Sequence, residues 1–390
     1  MTSEERRSTM GLAAVYGLRM LGIFLILPTF AVYASKLPHH PSHFLIGLAF
    51  GAYGLTQALL QLPFGIASDH FGRKLIIYIG LSIFALGSLI ATWASSIEML
   101  IIGRAVQGAG AMSAAVTALL ADLTRSEVRT KAMAAIGATI GLSFALSLVA
   151  GPLLTDWIGV QGIFMLTALL AVCALLVVRL VVPNPPALQN HTEHVMAPPL
   201  SKLRDVLGNQ RLLALNYGIL TLHATQMAMF VVLPFAIIRT SGLAEGMHWK
   251  IYLPLLLLSL LFMVPAILFA ERRTYTKRVF LLAIMLMLLV QMLFAFLLNS
   301  FVGIIFSLAL YFVAFNILEA MLPSLISKIA PSAIRGTALG VYNTSQSLGI
   351  FVGGVWGGYL SQLTNPNMVF VFCGGMVFLW LLFASFMQSP

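Results

Sequence analysis

Glu319 is a carboxylic acid within the apolar run Phe301–Pro323, four residues before Pro323. An acid placed there is costly when charged and is suited to binding and releasing a proton. Two cations lie inside apolar runs of their own, Arg19 and Arg104, and His223 adds a further proton-binding group. These four residues are the candidates for proton coupling. Glu319 has two readings. It carries a coupling proton, or it is the static partner of Arg19. Counted at 1.5 Å per residue from the ends of their runs, Arg19 and Glu319 both lie roughly 9–12 Å deep. Arg104 can pair with backbone carbonyls or hold a substrate, and Gln107, three residues on, shares its face.

A second constellation reads Gly65-Ile-Ala-Ser-Asp69-His-Phe-Gly72-Arg73-Lys74. Its two glycines allow a tight turn and a close helix approach. Asp69 can face the positive N-terminus of a later helix starting near Gly336, and Arg73 can reach Asp122. Contacts of that kind would form a conformational latch, made in one state and broken in another. Plain topogenic charge is the alternative reading. Other chemistry is missing from the sequence. There is no phosphate-binding Gly-x4-Gly-Lys-Ser/Thr loop, and within the apolar runs no His-x-x-x-His, no paired acids and no Ser/His/Asp set. The run His39-His40-Pro41-Ser42-His43 has no neighbouring acid or cysteine and lacks helical register, so a solvated loop is expected rather than a metal site. Cys173 and Cys373 lie in apolar runs and are expected to be inert packing residues. No metal, cofactor or enzyme activity is expected.

The elements that must position these residues follow from composition. Hydrophobic residues make up 60% of the chain and charged residues only 9%, against about 25% in soluble domains. That excludes a soluble globular domain and a nucleic-acid binder, despite a net charge of +10. With about 20 apolar residues per crossing, twelve spanning helices are expected near 11–35, 44–67, 75–94, 98–120, 131–154, 160–182, 212–238, 250–270, 279–299, 301–323, 337–360 and 367–387. Strands are excluded, since Leu253–Leu261 shows no alternation of period two. Met1–Ser8 is short and charged and the first apolar run holds Pro28, so no cleavable leader is expected. If the N-terminus is cytoplasmic, seventeen of the 22 lysines and arginines fall on the inner side and only Lys36, Arg239 and Lys250 on the outer. The positive-inside rule then puts both termini in the cytoplasm.

Residues 183–210 form a long, proline-rich linker between an N-terminal six-helix bundle, 1–182, and a C-terminal one, 211–390. Within it Leu200, Leu203, Val206 and Leu207 recur at helical spacing, which predicts a short helix on the membrane surface. The halves repeat. Leu27-Pro28 recurs as Leu233-Pro234, Pro63 as Pro265, Arg73-Lys74 as Lys277-Arg278, and Arg129-Thr-Lys-Ala132 as Arg335-Gly-Thr-Ala338, all about 204 residues apart. Six crossings per repeat make the repeats parallel, the architecture of rocker-switch secondary transporters, with a substrate site between the halves.

The Gly65–Lys74 loop resembles the signature loop of the major facilitator superfamily. Gly103-Arg104-Ala-Val-Gln107-Gly108-Ala-Gly110 resembles the arginine motif of its proton-coupled members, and Gly151-Pro152 the antiporter packing motif, with Thr155-Asp156 where a glycine pair is expected. Leu18–Gly22, Glu319–Lys328 and Val341–Gln346 are most similar to the bacterial YajR-type branch of drug–proton antiporters. The resemblance implies an all-α integral membrane protein of the major facilitator fold. It also implies a proton-coupled multidrug efflux antiporter of the cell inner membrane, working by alternating access as a monomer on small amphipathic substrates.

Polar residues in the runs are the candidates for lining the cavity. They are Tyr53 and Gln57 in span 2, Gln107 in span 4, Gln226 in span 7, Tyr311 and Asn316 in span 10, and Tyr342, Asn343 and Gln346 in span 11. Each could instead bond a neighbouring helix. The competing functions are a facilitator or importer of a small polar metabolite, against which the sparse polar lining speaks, and a membrane receptor or scaffold, for which no loop reaches domain size. The expected partners are a small-molecule substrate, protons and the lipid bilayer, with no nucleic acid.

Overall fold

The computed structural model describes residues 1–184, 200–270, 275–331 and 334–387. Among them there is no strand, and the chain is a sequence of helices. The first crossing comprises α1 (Ser3–Phe24) and α2 (Phe30–Ser35), followed by α3 (His43–Phe71) and α4 (Arg73–Thr92). The fourth comprises α5 (Ile97–Ala109) and α6 (Ser113–Asp122), and α7 (Ser126–Leu180) holds the fifth and sixth back to back. After the linker come α8 (Leu200–Gly208), α9 (Gln210–Ser241), α10 (Trp249–Ala270), α11 (Thr276–Leu297), α12 (Phe301–Ile329), α13 (Arg335–Leu363) and α14 (Pro366–Ser385). Nine described stretches are long and apolar enough to cross a membrane. Splitting α7 and adding the first crossing and α13 brings the crossings to twelve. Glycine, serine, asparagine and glutamine keep the mean hydropathy of α13 low although it is packed as a spanning helix.

Three expected boundaries are corrected. Span 1 is not one helix over 11–35. It starts at Ser3, capped by Thr2 and Glu5, and breaks over Leu25–Thr29, where Pro28 cannot donate into the helical ladder. Span 4 breaks at Gly110–Met112, between α5 and α6. Spans 5 and 6 are joined without a loop, the turn being made by Gly159 at φ 68°, a backbone region open to glycine and strained for other residues. The linker holds a short helix from Leu200, within which Val206 is buried. Residues 185–199 lie outside the described residues. Cys373 is buried, whereas Cys173 is exposed on the bundle surface and does not pack in the core.

The molecule has a basic end, where the Lys- and Arg-rich loops gather, and a far end. Apolar packing differs sharply between the two. Far-end residues of the first half, such as Leu27, Phe50 and Phe164, share one buried cluster with residues of the second half. Basic-end residues of the first half, such as Leu12, Ile77 and Leu119, form a cluster of their own. The halves are thus packed together at the far end and parted at the basic end. The tightest seam joins α3 to α13: a Cβ on Gly354 would lie 2.6 Å from the Gly47 carbonyl oxygen and 2.8 Å from Gly51 N. Near the basic end of α13, Gly336 and Gly340 have open space around them.

Within the first half, spans 1 and 5 run side by side through a regular ladder. Ser143 Oγ donates to Gly17 O at 3.1 Å, Ser147 Oγ to Leu21 O at 3.3 Å, and Thr155 pairs with Thr29 through hydroxyls 3.0 Å apart. Each rung joins residues 126 apart. Gly151, between the rungs, sits against Leu25 O, where the break in span 1 begins. In the second half Gly349, Gly353 and Gly357 pack on Leu220, Ala224 and Ala228 of α9 in the same parallel fashion. Ser143, Ser147 and Gly151 precede those three glycines by 206 residues each, so the sequence repeat is also a repeat of contacts.

At the basic end, Glu5 on the first turn of α1 accepts from Arg125 N at 3.2 Å and Arg125 Nε at 2.8 Å, and from Thr2 N at 2.7 Å. Those donors, Arg125 first, hold its carboxyl at about 2, below the ordinary 4.5. A depressed carboxylate stabilises the fold above its unfolded value, and that stability is lost as pH falls through the folded value. Glu5→Gln is therefore expected to lower the unfolding temperature near neutral pH, with the difference from the parent closing as pH falls from 4.5 toward about 2. Thermal unfolding in detergent across that range measures it.

Candidate functional site

Arg19 lies in the interior of the first half, against the break in span 4. Its guanidinium is fully buried and donates to Ser113 Oγ at 3.2 Å, Tyr53 OH at 3.1 Å, Gln57 Oε1 at 3.4 Å and Gly110 O at 3.5 Å, and it lies over the Phe84 ring. Gly110 O is at the C-terminus of α5, the negative end of its dipole, so part of the charge balance for Arg19 comes from a helix end. Arg104 donates to Gln107 Oε1 at 2.7 Å and stacks on Tyr53, with its carbon 4.8 Å from the ring centroid. Gln107 passes the contact on to Ser88 Oγ at 2.8 Å.

Arg19 therefore has no bond to Glu319, and the static pair is not formed. A common depth was the ground for expecting the pair, but Arg19 points into spans 2 and 4 of its own half. Neither Arg19 nor Arg104 has an acidic partner within ion-pair distance among the described residues. Tyr53, Gln57 and Gln107 are closed inside the first bundle rather than spread on a cavity wall, because they satisfy these two guanidinium groups.

Glu319 lies in the second half with a different partner. On α12 it is ten residues from Ile329, about 15 Å from the basic end of that helix. His223 Nε2 on α9 is 4.0 Å from Glu319 Oε2, and Gln346 Nε2 on α13 is 2.8 Å from the same imidazole nitrogen. The Glu319 side chain is 33% exposed, that of His223 only 8%. Tyr342 is buried and Asn343 and Gln346 are half-buried on the same stretch of α13. Asn316 donates to Ser259 Oγ on α10 at 2.7 Å and so braces two helices. Gln226 is buried one turn from His223. One turn beyond Glu319, Phe315 stacks on Tyr311 (5.7 Å), contacts His223 (6.0 Å) and meets Phe144 of the first half (5.8 Å). These rings roof the space over Glu319 where the halves come together.

The basic-end constellation is partly assembled. Arg73 Nε donates to Asp122 Oδ2 at 3.1 Å, and Arg73 also bonds Asp69 and Ser68 Oγ. Gly65 packs near Ala114, and Gly72 turns the chain from α3 to α4 at φ 98°. Asp69 is not brought to Gly336: nothing lies within 4 Å of a Cβ built there. The reason is the parting of the halves at this end. Residues that spacing alone did not single out include Ser88, Ser113 and Ser259. The repeat offers a signal for one of them, since Ser113 and Glu319 are 206 residues apart. Span 1 with span 4 thus holds Arg19 and Ser113, and span 7 with span 10 holds His223 and Glu319.

The family model of the Major Facilitator Superfamily matches residues 12–354 and 270–390. The chain belongs to the Major Facilitator Superfamily. This facilitator is 43% identical over 391 residues to the inner membrane transport protein YajR of Escherichia coli (strain K12), covering 100% of this chain and 85% of that one. An uncharacterised transporter of Buchnera aphidicola (subsp. Acyrthosiphon pisum) is 35% identical over 388 residues, covering 99% and 98%. Among solved structures, a bacterial homologue of the human lysosomal transporter Spinster, inward-facing and occupied, superposes with a TM-score of 0.79 at 13% identity, covering 99% of this chain and 97% of that one. The facilitator is a multi-pass membrane transporter and not an enzyme.

Proposed function

We propose that this facilitator is a proton-coupled secondary transporter exporting small amphipathic molecules from the cytoplasm by alternating access. It lies in the cell inner membrane as a monomer with both termini inside, so that the basic end is cytoplasmic. The observation that carries this reading is the Glu319–His223 pair, an acid and an imidazole 4.0 Å apart inside the spanning region, with the Glu319 side chain a third exposed. A carboxylate there gains a proton on one side and releases it on the other as the halves rock, with His223 beside it and Gln346 fixing the imidazole. The aromatic roof of Tyr311, Phe315 and Phe144 gives a substrate apolar surface, with Tyr342, Asn343 and Gln346 as the nearby polar groups. Proteoliposomes test the reading. Adding an amphipathic substrate to one side is expected to drive proton flux in the opposite sense, and the absence of any substrate-dependent proton movement across a range of amphiphiles refutes it.

In the same reading Asp69 meets the N-terminus of α13 when the basic end closes. Asp69→Asn removes a charge–dipole contact of about 0.5–2 kcal/mol, a shift of roughly 2- to 30-fold in the two-state balance. Arg73→Ala acts in the same direction. The expected result is greater exposure of basic-end cysteine reporters in both variants, and unchanged exposure in both removes the latch.

A further inference from the structure

Asp156 stands where the antiporter packing motif is expected to continue with glycine, and its carboxylate has a specific place. It ends the first crossing of α7, just before the Gly159 reversal, and presses against Gly246 of the other half. A side chain at position 246 would collide with that carboxylate. Gly246 belongs to the short turn Glu245–Met247 that leads into α10. The turn carries Glu245, whose Oε1 accepts from Lys36 Nζ at 2.5 Å, and Lys36 follows α2 in the first half. Both carboxylates therefore cluster where α10 starts, whose first N–H groups lack helical acceptors and whose dipole is positive. Lys36 is the cation set against Glu245. Lys36 and Glu245 line an open hollow of about 220 Å³ together with Tyr33, Thr155, Gly159 and Gln161. The contact lies on the wall of that hollow and is not core packing.

We propose that Asp156 and the Lys36–Glu245 pair form a far-end latch, which holds the far end shut and opposes the Asp69 latch at the basic end. The proposal rests on the alternating-access reading above. The two latches match in placement. Asp69 ends span 2 and is aimed at the start of span 11, while Asp156 ends span 5 and is aimed at the start of span 8. The structure has one of them made and the other unmade: the far end is closed with Asp156 against Gly246, and the basic end is parted with Asp69 away from Gly336. Each latch favours one state, so their difference sets the resting balance between the two.

Two cysteine reporters in a Cys173→Ser background read that balance. Gly340→Cys reports from the open basic end, and Ser347→Cys from the α3–α13 seam, where Ser347 is buried. Rates of labelling by a membrane-impermeant thiol reagent are measured from each side in proteoliposomes. Asp156→Asn and Lys36→Met are expected to speed labelling at position 347 from the far side and slow it at position 340, by about two- to fivefold, the scale of one exposed charge contact. Gly246→Ala, which forces the clasp apart without changing charge, is expected to do the same. Asp69→Asn moves both rates the opposite way, and the Asp69→Asn/Asp156→Asn double variant returns toward the parent. If Asp69→Asn shifts the rates while the three far-end variants leave them at the parent value, the far-end latch is overturned and alternating access stands. If no variant shifts either rate, both fall together.

Discussion

Replacing Glu319 with glutamine is expected to abolish uphill efflux driven by a pH gradient, while substrate binding and downhill exchange persist and lose their pH dependence. Glutamine keeps the size of the side chain and much of its hydrogen bonding, but it cannot carry a proton. Each proton moving down about 100 mV supplies roughly 2.3 kcal/mol, so the loss removes the ability to concentrate substrate rather than merely slowing turnover. Because the observed partner is His223 and not Arg19, the variant strands no buried guanidinium, and it is expected to express and unfold like the parent. Replacing His223 with glutamine is the informative companion. It is expected to keep coupling but displace its pH profile, because Glu319 retains the proton and loses its neighbour. Concentrative efflux by a well-folded Glu319→Gln protein would falsify proton coupling at this residue and move the search to Arg104 and its contacts.

Gly354→Val is expected to produce the second large effect. Its new side chain would enter a seam where even a Cβ lies 2.6 Å from Gly47 O. Overpacking of this kind costs about 1–3 kcal/mol, and here the cost falls on one state only, because α3 and α13 belong to different halves. The two-state balance should move by roughly 5- to 150-fold, away from the far-closed arrangement, with each half still folded. Gly353→Val is the contrasting case. Gly353 faces Ala224 of its own half, so its side chain clashes in every state and should lower the unfolding temperature without favouring either. Cysteine accessibility and thermal unfolding, measured on both variants, separate the two outcomes. Equal behaviour of the pair would show that the seam does not part during the cycle.

Hydropathy and charge made the crossings and the repeat legible, because burial in lipid demands about 20 apolar residues whatever the packing. They did not disclose the breaks at Leu25–Thr29 and Gly110–Met112, since a few non-helical residues leave the average apolarity unchanged. Residue counting placed Arg19 and Glu319 at similar depth. It could not give the rotation of each helix about its axis, and rotation decides that Arg19 turns toward Tyr53 and Ser113 while Glu319 turns toward His223. The Arg73–Asp122 contact, joining the starts and ends of neighbouring helices, needed no such knowledge. Asp156 was visible only as a departure from an expected glycine, and its neighbour Gly246 is remote in sequence and near only in space.

The ladder between spans 1 and 5 works as a key in a slot. Its hydroxyl rungs, at 143, 147 and 155, share one offset, so a slip of one residue along the axis would unseat all of them together, while Gly151 against Leu25 leaves no room for a sideways step. Small creeping displacements between these helices are thereby excluded. Spans 1 and 5 are tied together before the break at Leu25–Thr29 and at its last residue, and the slack that a moving machine needs falls to the faces between the halves.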